Sequence, residues 1–174
     1  MTLLVLVAIA SLIGLAVIAL ARRGAVSVST ERDRVMAGRQ DEISTRLGRL
    51  DAERLEGIVR RVLDKIGLDP LSSEQVSDDA FDILARDERP LVGGVYLFHC
   101  IASGEETVDG PQVVGLGDTL RAVQANKAVL VSTGFFTDEA VRVAADYPIE
   151  LIGRERLREL LFEQQLLILV ELDG

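Results

Sequence analysis

Residues 128–160 read AVLVSTGFFTDEAVRVAADYPIELIGRERLREL, and this stretch decides the fold class. The run 128–133 (AVLVST) is continuously apolar before its hydroxyls, the pattern of a strand buried on both faces of a parallel sheet. Thr137 stands where a helix cap belongs. Asp138 and Glu139 follow in the first turn, where the helix dipole favours carboxylates. The spacing predicts a helix to about Tyr147, stopped by Pro148. Residues 149–152 make a second short strand, and Arg154 opens a last helix through Leu161 or further. Strands alternating with helices point to an α/β domain.

Upstream, Leu55, Ile58, Val59, Val62, Leu63 and Ile66 follow a 3.6-residue period, with Asp51 placed to cap and Gly67 to stop that helix. Asp69-Pro70 then predicts a turn. Two extended runs come next, 81–86 and 95–102, separated by the turn-rich DERPLVGG. A loop, SGEETVDGP, leads to a short helix expected over 118–126. Gly115-Leu116-Gly117 reads as a turn into that helix; as a dinucleotide fingerprint it fails, because Leu120 holds the third glycine position. The expected order is α-β-β-α-β-α-β-α, a three-layer α/β domain with a mixed central sheet. The tail, QQLLILVELDG, has two readings over 165–172: a continuation of the last helix, or an extra edge strand that something must cover.

The chain opens differently. Residues 3–21, LLVLVAIASLIGLAVIALA, carry no charge, and a helix of that length at about 1.5 Å per residue spans most of a ~30 Å hydrocarbon core. A cleavable signal peptide is the competing reading, but it calls for a basic leader that Met1-Thr2 does not supply. Arg22 and Arg23 follow the run at once. The expectation is therefore a single-pass anchor in the cell (inner or plasma) membrane, with the N-terminus out and the rest cytoplasmic. Ala10 and Gly14 form a small-xxx-small pair, which leaves a homodimer open. The expected organisation is thus 1–21 transmembrane helix in contact with lipid, 22–50 juxtamembrane linker, and 51–174 α/β domain.

Overall the 174 residues are 48% hydrophobic and 27% charged, with a net charge of −9, which fits one packed domain plus an extension. The charge is divided. Residues 22–66 carry 11 Lys and Arg against 8 Asp and Glu, a net of +3, and the basic bias of the linker, 22–50, suits anionic headgroups; residues 67–174 carry 8 against 20, a net of −12. A domain so acidic is not built to coat nucleic acid. A lone cysteine, Cys100, excludes a disulfide framework, and a lone histidine, His99, excludes a two-histidine metal motif.

No GxSxG, P-loop lysine or HExxH is present. The informative constellation is acidic: Glu56 on the first helix, Asp78 and Asp82 around the start of the first extended run, and His99 on the next, on the face of Leu97 and Ile101 and opposite Cys100. Carboxylates converging from a helix and a strand are how nucleases of the PD-(D/E)xK type hold Mg²⁺ against a scissile phosphate. The plainer reading of the same residues is a solvated acidic loop beside ordinary helix-surface carboxylates.

Residues 50–161 resemble the catalytic domain of Mrr-like type IV restriction endonucleases. LDAERLEGIVRRVLDKIGLD resembles the family's opening helix, with its glutamate at Glu56. DDAFDILARD is similar to the family's D-G-G-x-D strand, with Asp82 in the place of the metal-binding aspartate, and the stretch 128–160 is similar to its apolar strand, Thr-Ser-x-Phe-Thr turn, Ala-rich helix and Ile-Glu-Leu-Ile strand. The resemblance implies a restriction-endonuclease-like fold, DNA as substrate, Mg²⁺ as cofactor, and Glu56, Asp82 and His99 as catalytic and metal-binding residues. The departures fall at the active site. In YLFHCIAS, His99 replaces the family's Gln or Glu, and Ile101 replaces its lysine, which orients water and offsets phosphate charge. Of the two lysines in the chain, Lys65 and Lys127, only Lys127 begins a strand from which it could reach the site. The expectation is a membrane-anchored domain with a degenerate site, acting as a binding or scaffold module. The alternative is a tethered Mg²⁺-dependent DNA endonuclease with a rearranged site.

Overall fold

In the computed structural model, which describes residues 38, 41–91, 93–166 and 170, Asp51 caps the first long helix, α1 (Ala52–Ile66), by accepting from the Arg54 N–H at 2.9 Å. Gly67 ends α1 in the left-handed region at φ 79°, where a side chain would be strained. The 3.6-residue stripe of Leu55, Ile58, Val59 and Leu63 is buried, as its spacing predicts. The elements that follow are β1 (Asp69–Gln75), β2 (Ala80–Asp87), β3 (Gly94–Ile101), β4 (Thr107–Val108), α2 (Gly110–Ala122), β5 (Lys127–Ser132), β6 (Phe135–Phe136), α3 (Asp138–Ala144), β7 (Ile149–Ile152) and α4 (Arg154–Glu163).

The sheet is mixed, as expected. Its order is β1-β2-β3-β5-β7, antiparallel through β3 and parallel from β3 to β7, while β4 and β6 form a separate two-stranded ladder. Because side chains alternate across a strand, the two faces build two cores. On one face, α1 and α4 cover Phe81, Ile83, Phe98, Cys100, Val129 and Val131. On the other, α2 and α3 cover Ala80, Leu97, Ile101, Ala128 and Leu130. Residues 128–131 are buried from both sides, which is why their sequence shows no polar alternation.

Three expectations change. First, Asp69-Pro70 opens β1 instead of turning the chain away. β1 is an edge strand whose polar sequence, DPLSSEQ, hides its period, and an edge tolerates proline because one side of its backbone is unpaired. Second, the helix expected over 118–126 begins at Gly110. Asp109 and Gln112 form a reciprocal capping box with Pro111 in the first turn, so Gly115-Leu116-Gly117 lies inside α2 and is no turn. Gly117 is required there by packing: a Cβ would stand 2.6 Å from the Tyr147 ring. Third, Ile43, Leu47 and Leu50, expected in the linker, are buried in the α1–α4 core, and the compact unit runs from Ile43.

No helix among the described residues is long and apolar enough to cross a membrane. The anchor expected over 3–21 and most of the linker lie outside the described residues, as does most of 165–172, although Leu166 and Val170 are buried in the α1–α4 core.

The β2–β3 connection is closed by a clamp. Asp87, buried, accepts from the Arg89 guanidinium at 2.6 Å and from the Arg89 backbone N–H at 3.0 Å. The hydrogen bonds from the Arg89 side chain, then from its backbone, hold the Asp87 carboxyl below the usual carboxylate range. A carboxyl depressed by folding contributes stability above its unfolded pKa and loses it as pH falls through the folded one. Thermal melts from about pH 5 to about pH 2 should therefore show an acid limb that Asp87→Asn flattens. Parallel limbs in parent and variant would remove the clamp from the acid response.

Candidate active site

Two of the three candidate site residues meet. In the antiparallel ladder Asp82 pairs directly with His99, so both side chains leave the same face of the sheet, and His99 Nδ1 lies 2.6 Å from Asp82 Oδ1. A carboxylate only accepts, so Nδ1–H donates, and in the neutral imidazole the lone pair is then at Nε2. The two side chains are 22% and 21% exposed, neither sealed in the core nor free in water. Chemically this is an oriented imidazole, able to act as a base at Nε2.

Glu56 does not join them. Its helix packs on the opposite face, that of Phe81 and Ile83. There its carboxylate accepts from Ser73 Oγ and Arg60 Nε, both at 2.8 Å. Burial alone would raise the Glu56 pKa, but the hydrogen bonds from Ser73 and Arg60, together with the Arg60 charge, outweigh it and leave the carboxyl lowered. Ser73 is on β1, the strand hidden from the sequence pattern, so this partner had no visible signal beyond its own serine. A cavity of about 420 Å³ beside Glu56 is lined by Asp51, Glu53, Gln75, Asp78 and Phe81. Four carboxylates around one opening repel a phosphate.

The position matched to the family lysine is closed. Ile101 is 6% exposed, paired with Ala80 and packed in the α2–α3 core. Lys127 does not substitute for it. Its strand position is beside Tyr96, three residues from the level of His99, its side chain lines the α1–α4 face, and its ammonium pairs with Glu150. Cys100, on that same face, is buried; burial first, then the carboxylates of Asp82 and Glu56, pushes its thiol well up and keeps it unreactive.

Mg²⁺ therefore finds no three-carboxylate cradle in the residues matched to it. Among the described residues, no three His, Cys, Asp or Glu side chains group closely enough to hold a metal ion. A DNA-binding patch is equally thin. Of Arg86, Arg89, Arg121 and Arg142, three already bind within the chain: Arg89 to Asp87, Arg121 to Asp118, and Arg142 to the Asp138 carbonyl.

A family model described as a restriction endonuclease, the Mrr catalytic domain, matches residues 47–161. Among solved structures, the DNA modification-dependent restriction endonuclease AspBHI matches with a TM-score of 0.53 at 12% identity, over 76% of this chain and 38% of AspBHI. The MspJI restriction endonuclease, solved in complex with a 27-mer oligonucleotide, matches with a TM-score of 0.44 at 21% identity, over 72% of this chain and 30% of MspJI. The chain thus spans well under half the length of either protein. No curated protein matches.

Proposed function

The chain belongs to the Mrr catalytic-domain family of restriction endonucleases, and from that premise we propose that it is a membrane-tethered, catalytically inert member serving as a binding or scaffold module. The observation that carries the reading is Ile101. It occupies the position of the family's lysine and is packed into the α2–α3 core, where no cation could reach a phosphate. Two further features support it: Glu56 lies across the sheet from Asp82, and residues 67–174 carry a net charge of −12. The uncharged run 3–21 followed by Arg22-Arg23 supports the tether, with the domain on the cytoplasmic face of the cell membrane.

A second reading, a tethered Mg²⁺-dependent endonuclease with a rearranged site, draws on the oriented His99 imidazole beside Asp82. One assay separates the two. Supercoiled plasmid incubated with the full chain and Mg²⁺ or Mn²⁺ should remain supercoiled, with parent and Asp82→Ala indistinguishable, and the protein should not retain DNA at low salt. Metal-dependent nicking that Asp82→Ala abolishes would establish the second reading and remove the first.

A further inference from the structure

One end of the domain sets exposed apolar side chains among charged ones such as Asp69, Arg86 and Glu88. β1 starts beside the last residues of β2, since Asp69 pairs with Arg86, and β3, β5 and β7 start at the same level, through Tyr96 with Lys127 and Ala128 with Ile149. α1 finishes there just before β1. α4 returns there from the far end of β7, because its residues Leu157 and Leu160 line the same space as Tyr96 and Lys127. Exposed large apolar side chains collect at this end: Ile66 at the end of α1, Leu71 at the start of β1, Leu91 at the tip of the β2–β3 connection, and Phe162 in the last turn of α4. Leu91 is fully exposed on a backbone at φ 73°, a conformation disfavoured for a residue of this kind.

Beside Ile66 a cavity lies under α1 and α4. It is walled by Val62, Leu63, Leu68, Phe98, Val131 and Leu160, with the Lys127–Glu150 ion pair as its polar margin. An apolar cavity of about 150 Å³ takes a benzene-sized guest, so the ~230 Å³ here admits one alkyl segment and is far too narrow for a helix about 10 Å across. An alkyl-sized slot at an end that also exposes Ile66, Leu71, Leu91 and Phe162 fits the hydrocarbon edge of a bilayer. The tether supplies one: taken as a flexible coil, residues 22–42 have a root-mean-square span of about 25 Å, so a bilayer holding the run 3–21 is within the chain's own reach.

We infer that this end of the domain docks on the membrane, with Ile66, Leu71, Leu91 and Phe162 at the interface and one phospholipid acyl chain entering the cavity between α1 and α4. The inference rests on the tether for proximity and deepens the proposed function by naming the bilayer as the docking partner. The test is photolabelling of the full chain in phosphatidylcholine nanodiscs that carry a lipid with a diazirine at the tail end, with adducts mapped by peptide mass spectrometry. Tail ends lie at the bilayer centre, so only a chain that has entered the cavity labels its walls. Adducts are expected in the run 3–21 and also in the segments holding Ile66, Tyr96 and Leu160. Leu91→Asp combined with Phe162→Asp, both at exposed positions, should reduce the cavity adducts about tenfold and leave those in 3–21 unchanged. Adducts confined to 3–21, or cavity adducts indifferent to the double variant, overturn the docking and spare the tether. Protein eluting free of nanodiscs without adducts overturns both.

Discussion

Replacing Arg154 with methionine should lower the unfolding free energy of residues 43–174 by about 3 kcal/mol, read from urea titrations followed by circular dichroism. Arg154 is 6% exposed. It donates to the carbonyls of Thr133 and Gly104, pairs with Glu105 at 2.9 Å, and lies 4.7 Å from the centre of the Phe135 ring. Gly48 gives it room, since a Cβ there would stand 2.7 Å from Arg154 Nη2. One side chain thereby joins the β3–β4 loop, the β5–β6 turn and the start of α4. Methionine fills much of the space but leaves two carbonyls without their donor, and the loss of those bonds sets the size of the effect. The ion pair contributes little, because Glu105 is 80% exposed and its charge is screened by water. Glu105→Gln should therefore cost less than about 1 kcal/mol. Equal losses in the two variants would place the energy in the ion pair and refute the account. Gly134→Ala belongs with Arg154→Met for a steric reason: a Cβ would sit 2.1 Å from the Glu106 carbonyl oxygen.

The same loops show what a sequence discloses. Thr137, Asp51 and Gly67 cap and stop their helices where their chemistry places them, and 128–131 is buried from both faces as its unbroken apolar run requires. Local signals of this kind are legible because each element satisfies its own backbone. β1 was not legible: its partners are supplied by β2, and on a sheet edge DPLSSEQ needs no apolar period. The start of α2 was written plainly in Asp109, Pro111 and Gln112, yet the glycines behind it read as a break, since Gly117 answers to the Tyr147 ring 30 residues further on. At the site, register carried Asp82 to His99, because two strands joined by a turn fix which residues face each other. Nothing local fixes the face on which a helix packs, and so Glu56 could be matched to a family position without being brought to Asp82.

Ile101→Lys is the sharpest test of the site, because it puts a lysine where the sequence resemblance sets the family's own. It should destabilise the domain by about 3 kcal/mol and confer no metal-dependent nicking. Ile101 shares the α2–α3 core with Leu97, Val113, Leu116 and Leu130, and Asp82 on that face is already committed to His99. An ammonium placed there must either surrender its proton or push the packing apart. Ile101→Met, which keeps the volume and adds no charge, should cost less than about 1.5 kcal/mol, so the difference between the two variants isolates the charge. Adding His99→Gln rebuilds the Gln-x-Lys pattern without moving Glu56 to the face of Asp82, and the double variant should still leave plasmid supercoiled. A lysine tolerated as well as methionine would mean that the position opens to solvent. Nicking by the double variant would mean that two side chains alone separate this domain from catalysis. Either result would return the site to the nucleases, whereas a destabilised and inert variant shows that packing around Ile101 has closed the place where a phosphate would be met.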